Sequence, residues 1–269
     1  PRGEDQAIWN KLGYEDRILV TAEPFGLWVI ESSKDISKEL PLPDCGLPVI
    51  YTDNQKPYKQ RKVRILNGAH TSFASGAYLA GQNIVRKCMQ DEIILPFMNS
   101  CIYNEIIPTL DLPADDLKAF ASSVLDRFAN PYIDHKLTDI CLNSTSKWKA
   151  RVLPSLKEYL KRYGKLPAGL AASYAFYAAF YHGTELTPDG MIGHRDGNDY
   201  LIKDDKAVLD FFLAHKDDSP EGYIHAICSN ESFWGEDLSA IPDFEAKVTE
   251  YYVDLLKYGS LYVMKSCLY

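Results

Sequence analysis

Residues 62–70 read KVRILNGAH, and the way this stretch winds decides what the rest of the chain has to be. Lys62, Asn67 and His70 stand five and three residues apart. Wound as an α-helix at about 100° per residue, His70 falls roughly 80° and Asn67 roughly 140° round from Lys62, so all three can look into one cleft. The axial rise from Lys62 to His70 is then about 12 Å, which a long lysine stem can span. A base, an amide and an imidazole converging on one point suit proton transfer at a carbonyl or alcohol oxygen. The same residues also read as plain structure. Arg61, Lys62 and Arg64 make a solvated basic helix start, Asn67 an N-cap for the run HTSFASGAYLAG, and His70 a satisfied structural histidine.

Outward from this stretch the pattern is helical throughout from Gln60 onward. Asn67–Leu79 is small and apolar and closes on Gly81. Apolar residues at three- and four-residue spacing predict helices over Ile84–Glu92 and Ile93–Ile107, the second stopping before Pro108. Asp115–Phe128 opens on acidic residues that favour a helix N-terminus. Ile133–Asn143, Val152–Tyr163, Lys206–His215, Gly222–Ser229 and Phe244–Lys257 follow. Ala168–Tyr181 (AGLAASYAFYAAFY) is apolar almost all round, so it should be central and buried. Its Tyr174, Tyr177 and Tyr181 read as core packing, with a ligand-stacking platform as the alternative. His182–Asp205, rich in glycine and aspartate, reads as a turn-rich polar loop, and that explains His194, Asp196 and Asp199 without a cation.

Upstream the chain is less regular. PRGEDQAIWNKLGYEDR contains no clean helix or strand, ILVTAEP and LWVIE are short apolar runs that suit strands or extended connectors, and Asp35–Leu40 suits a helical turn. The four prolines of PLPDCGLPVIYTDNQKP mark a loop. No G-x-G-x-x-G follows a strand; Gly76 and Gly81 sit inside or at the end of a helix.

With 269 residues, 46% of them hydrophobic, the chain is ample for a sizeable core in one or two domains. A net charge of -8 argues against nucleic acid as a partner. The six cysteines (Cys45, Cys88, Cys101, Cys141, Cys228, Cys267) show no CxxC pair or metal-ligand spacing, and four lie in apolar helical runs as buried free thiols. That points to a reducing, cytoplasmic setting. No apolar run reaches the roughly 18 residues a membrane helix needs.

K-x4-N-x2-H within KxRxLNGAH, leading into a helix of the AYLAG type, resembles the catalytic signature of the polyol-specific long-chain dehydrogenases, the mannitol dehydrogenase family. AEPFGLWVIE (Ala22–Glu31) resembles the segment that leaves that family's nucleotide domain. DNQKPYKQRKVRILNGAHT, EIIPTLDLP (Glu105–Pro113), RFANPYIDHKL (Arg127–Leu137) and RVLPSL (Arg151–Leu156) are similar to one branch of the family, which interconverts the sugar acids D-tagaturonate and D-altronate. The likeness runs from about Ala22 to the C-terminus and loosens after about Gly183.

The resemblance implies a mainly α, multi-helical C-terminal substrate domain of about ten helices over residues 59–269. Residues 1–58 would be an irregular or β-containing lead and connector. The N-terminal Rossmann domain of the family, absent from this chain, would be its partner and would bind NAD. The fragment alone is then expected to be inactive. Lys62 would be the acid/base, with Asn67 and His70 hydrogen-bonding the oxygen that gains charge, and no metal is implied. Mannitol-type members carry glutamate where this chain has Lys59, and arginine where it has Asp139. Both departures point from a neutral polyol toward a sugar acid, its carboxylate held by Lys59, with Arg64 and Lys147 as further candidates. Mannonate, mannitol or a sugar phosphate as substrate, or a non-catalytic helical interaction module, are the alternatives.

Overall fold

In the computed structural model, residues 3–20 and 25–269 are described. Thr21–Pro24, the second half of the ILVTAEP run and the start of the AEPFGLWVIE segment, lie outside them, as do Pro1 and Arg2. The chain divides into two compact units, Pro1–Lys59 and Gln60–Tyr269.

In the first unit, α1 (Asp5–Leu12) opens on an aspartate and closes on Gly13 in the left-handed conformation, so the opening segment does form a helix. Strand β1 (Trp28–Glu31) pairs in parallel with β2 (Val49–Thr52), from Trp28 opposite Val49 to Glu31 opposite Thr52. β2 corrects the expectation of a loop across the proline-rich stretch. Its prolines lie at 41, 43, 48 and 57, outside the four β-prone residues Val-Ile-Tyr-Thr, whose N–H groups stay free to pair. Gln55 N–H donates to the Glu31 carboxylate at 2.7 Å and fixes the exit from β2. The boundary between the units falls within α2 (Lys56–Arg61).

The second unit is helical around one buried rod. The elements in order are α3 (Ala69–Leu79), α4 (Val85–Cys88), α5 (Ile94–Ser100), α6 (Ala114–Phe128), α7 (Leu137–Ile140), α8 (Ser144–Arg151), α9 (Leu153–Tyr163) and α10 (Ala168–Phe180). After a small sheet come α11 (Lys206–Ala214), α12 (Pro220–Cys228), α13 (Glu231–Trp234), α14 (Phe244–Tyr258) and α15 (Ser260–Ser266). α10 is the rod: Gly169 to Phe180 are all buried, and it packs on α3 and α14. A Cβ at Gly76 of α3 would lie 2.6 Å from a ring carbon of Phe176, so only glycine lets these two helices approach this closely. Tyr174, Tyr177 and Tyr181 are core residues. Tyr174 meets Trp148 at 4.8 Å and Trp234 at 5.4 Å between ring centroids, and Tyr181 meets Phe212 at 4.8 Å.

The polar loop expected over His182–Asp205 is instead an antiparallel sheet, β3 (Glu185–Thr187), β4 (Gly190–Arg195) and β5 (Asn198–Ile202), in that order. Asp189, Asp196 and Gly197 are its turn residues, while Gly190, Gly193 and Asp199 lie within the strands. Asp196 and Gly197, both at positive φ, make the two-residue connection between Arg195 and Asn198. His194 and Asp199 face each other across this hairpin, joined at 2.7 Å. Among the described residues no helix is long and apolar enough to cross a membrane, and no group of three or more His, Cys, Asp or Glu is placed to hold a metal ion.

Candidate active site

The site begins with a change of winding. After α2, Lys62–Gly68 form a π-helical turn, in which each N–H bonds five residues back, before α3 resumes ordinary winding. The plain α-helix read from the sequence is corrected here. The wider turn takes in an extra residue, so Asn67 stands about one turn on from Lys62 instead of well round the axis from it. Lys62 is exposed, Asn67 half-buried and His70 buried along this one continuous run. The side chains of Lys62 and Asn67 make no hydrogen bond among the described residues, so both are available to a ligand.

His70 is 7% exposed, and its Nε2 is buried without a hydrogen-bond partner. Such groups are rare in native cores and call for an explanation. Its ring stacks on Phe128 at 4.0 Å and meets His135 edge-on at 5.1 Å. Burial, reinforced by His135, Arg151, Arg127 and Lys147, pushes its pKa down to about 3, so the imidazole is neutral at pH 7. A neutral ring can donate one N–H to an oxygen, but it cannot supply the proton of an acid catalyst at that pH.

The elements round His70 are held firmly. The segment expected to start a helix at Ile133 is irregular up to Leu137, because its backbone pairs elsewhere: Val85 N–H donates to the His135 carbonyl at 2.9 Å, and Leu137 N–H to the Asn83 carbonyl at 2.9 Å. Arg86 clips the same loop by donating to the Pro131 carbonyl and, at 2.6 Å, to Asp134. α8, a helix the sequence did not announce, is pinned by Trp148, whose indole N–H donates to Ser173 Oγ at 3.0 Å, and by Ser144 N–H, which donates to Tyr181 Oη at 2.8 Å. Its Lys147 donates to the Ile140 carbonyl at 2.9 Å. Burial and the charge of Arg151 lower the Lys147 ammonium from its ordinary value. Four residues on, Arg151 Nη1 reaches Thr71 Oγ1, next to His70, at 3.4 Å. The Arg151 carbonyl lies 3.1 Å from where a Cβ would stand at Gly68, so glycine there admits the end of α8 against the π turn.

The structure thus brings His70, His135, Lys147 and Arg151 together. Arg64 is placed among other groups: its Nε donates to Ser155 Oγ at 2.7 Å, and Glu158, Arg162 and Asp111 are its charged neighbours. Lys59 is exposed, closes the first unit and donates its backbone N–H to the Gln55 carbonyl at 3.0 Å. His135 and Arg151 were missed in the sequence. Arg151 had a readable signal, since residues four apart on a helix are neighbours and Lys147 was already a candidate.

Residues 54–256 match the family described as mannitol dehydrogenase C-terminal domain. The altronate oxidoreductase of Yersinia enterocolitica is 41% identical over 256 residues, covering 93% of the chain and 51% of that protein. That of Bacteroides thetaiotaomicron is 37% identical over 269 residues, covering 100% and 54%. The chain spans about half the length of the curated relatives it matches. Among solved structures, the Pseudomonas fluorescens mannitol 2-dehydrogenase ternary complex with NAD and D-mannitol superimposes with a TM-score of 0.79 at 23% identity, covering 100% of this chain and 51% of that one. A D-sorbitol dehydrogenase in substrate-free form gives 0.76 at 19% identity, covering 98% and 51%. At these identities the likeness to the solved structures is one of fold.

Proposed function

The chain belongs to the mannitol dehydrogenase C-terminal domain family, and from that premise we propose that it is the substrate-side half of an NAD-dependent oxidoreductase interconverting D-tagaturonate and D-altronate. In the direction of oxidation, Lys62 in its amine form takes the proton of the substrate hydroxyl. In reduction its ammonium returns that proton to the carbonyl oxygen. The Asn67 amide and the neutral His70 ring donate hydrogen bonds to the oxygen as its charge changes. The division of labour follows from burial. His70 is held neutral and out of water, so it can stabilise charge but not move a proton, and the exposed, unpaired Lys62 is left to do so.

The dinucleotide itself does not fit the described residues. Its pyrophosphate needs a glycine-rich turn between a strand and a helix N-terminus, and none follows β1 or β2. The steps assigned to this chain are therefore those of the proton and the oxygen, and the hydride partner is proposed to lie on a separate nucleotide domain.

The observation that carries the proposal is the orphaned, neutral Nε2 of His70 two residues past a turn whose Lys62 and Asn67 side chains make no hydrogen bond among the described residues. The substrate assignment is supported by relatives at 37–41% identity named altronate oxidoreductase. The test is an NADH-oxidation assay on the full-length gene product with D-tagaturonate, D-fructuronate and D-fructose. Turnover strongest with tagaturonate is expected. Preference for fructose would discard the sugar-acid substrate, and no turnover with any of them would discard the enzyme.

A further inference from the structure

Among the described residues, Arg151 is a cation without an anion. It is partly buried at the end of α8, and its described hydrogen bond is the long one to Thr71 Oγ1 at 3.4 Å. Burial alone accounts for the lowering of its guanidinium from the ordinary value, so no carboxylate among the described residues compensates it. Other cations of this unit are supplied: Arg162 pairs with Glu158 at 2.6 Å and Asp111 at 2.7 Å, and Arg86 with Asp134 at 2.6 Å. A guanidinium partly withdrawn from water carries a fork of N–H donors that favours a planar carboxylate, and leaving it unmatched is costly.

Its position is set by the site. The Arg151 backbone abuts Gly68 and its side chain reaches Thr71, while Thr71 Oγ1 in turn donates to the Asn67 carbonyl at 2.9 Å. Arg151 therefore borders the π turn on both sides of Asn67 and lies one residue from His70. Lys147, on the same helix face four residues back, enlarges the cationic patch, and His135, which burial holds toward its neutral form, stands edge-on to the His70 ring at 5.1 Å as a neighbour able to hydrogen-bond. This patch sits on a chain whose net charge is -8, so it is a local feature and not a reflection of overall composition. Lys147 is the weaker candidate, since its ammonium already donates to the Ile140 carbonyl and has Asp204 and Asp139 beside it.

We infer that Arg151 is the residue that recognises the carboxylate of a sugar-acid substrate, with His135 flanking it at the His70 ring, and that this pair makes the site selective for a sugar acid over a neutral sugar. The inference rests on the proposed function and replaces Lys59 and Arg64 as the carboxylate partner.

The test uses the full-length gene product with D-tagaturonate and a neutral ketohexose. Turnover of the unaltered protein tests the functional reading, and the selectivity of variants tests Arg151. In Arg151→Met, KM for tagaturonate should rise about 10- to 100-fold, the worth of a charge-assisted bond, with kcat/KM for the neutral ketose unchanged. Arg151→Lys should restore part of the loss, because it keeps the charge without the fork. A thermal melt of each variant identifies any loss that comes from misfolding, and His135→Asn, at an exposed position, gives a second reading on a folded protein. Unchanged tagaturonate KM in Arg151→Met, or equal loss for both substrates, would overturn the inference. A rise produced by Lys59→Met but not by Arg151→Met would return the role to Lys59.

Discussion

The second unit contains two π-helical turns, Lys62–Gly68 and Cys101–Ile106, and it uses them in opposite ways. Each sets an ionisable side chain in the core, Glu105 within its turn and His70 two residues past the end of the other. The second turn buries Glu105, whose two carboxylate oxygens accept the N–H groups of Gly169 and Leu170, each at 2.8 Å, at the start of α10. That is a helix cap supplied from a distant segment, and it satisfies donors that the first turn of a helix otherwise leaves open. The first turn leads into His70, whose Nε2 is unmatched, and among the described residues the side chains of Lys62 and Asn67 make no hydrogen bond. Burial pushes both groups toward their neutral forms from opposite directions, Glu105 rising to about 7 and His70 falling to about 3. The two turns share one winding. What separates them is whether the polar group they carry is satisfied by the protein, and only the unsatisfied one leaves hydrogen-bonding capacity for a substrate.

The sharpest way to break this comparison is through Lys62. In the full-length gene product, Lys62→Ala should lower kcat by about 10² to 10⁴, the usual worth of a general acid–base, and barely move KM. Because Lys62 is exposed and unpaired, the melting temperature should hold. Near-normal turnover of Lys62→Ala at every pH would take the first turn out of catalysis and leave the two turns alike.

The second turn should answer in stability. Glu105→Leu strands two buried N–H groups at the start of the central helix, at about 1–3 kcal/mol each, offset in part because a carboxyl no longer has to be buried. A net loss of about 3 kcal/mol is expected by urea unfolding, with the kcat of the folded fraction unchanged. A Glu105→Leu protein that is fully stable but slow would show that this turn, too, belongs to the site.

Much of this was legible in the letters, and the omissions have physical causes. The spacing of Lys62, Asn67 and His70 was readable because it is local, and α10 announced itself by being apolar on every face. The π winding was not, since no residue type demands an i→i+5 bond and the turn is held by packing, such as that of the Arg151 carbonyl on Gly68. His135 was hidden because its loop takes its shape from Asn83–Val85, far off in sequence. The sheet of β3–β5 was missed although Asp196-Gly197 is a strong hairpin signal, because composition alone makes hairpin turns and loops look the same.

The smallest expected effect sharpens the comparison most, because the two buried groups should tilt stability with pH in opposite senses. His70 titrates at 6.5 when free of the fold and at about 3 within it, so between these values the unfolded chain binds the extra proton. Stability from this group is present above 6.5 and is lost as pH falls, by about 2 kcal/mol between pH 7.5 and pH 5. His135, also lowered, tilts the same way. Glu105 titrates at 4.5 when free and at about 7 when folded, so here the folded chain binds the extra proton. Its contribution is present below 4.5 and fades as pH rises through 7, again by about 2 kcal/mol over the same window. The unaltered chain should therefore show a shallow dependence from pH 5 to 7.5. Removing His70 by His70→Leu should leave a protein more stable at pH 5 than at 7.5, and Glu105→Leu the reverse. Chemical denaturation at the two pH values separates these slopes. If both variants kept the shallow profile, neither group would be held neutral by burial, and His70, free to charge, would again compete with Lys62 for the role of acid.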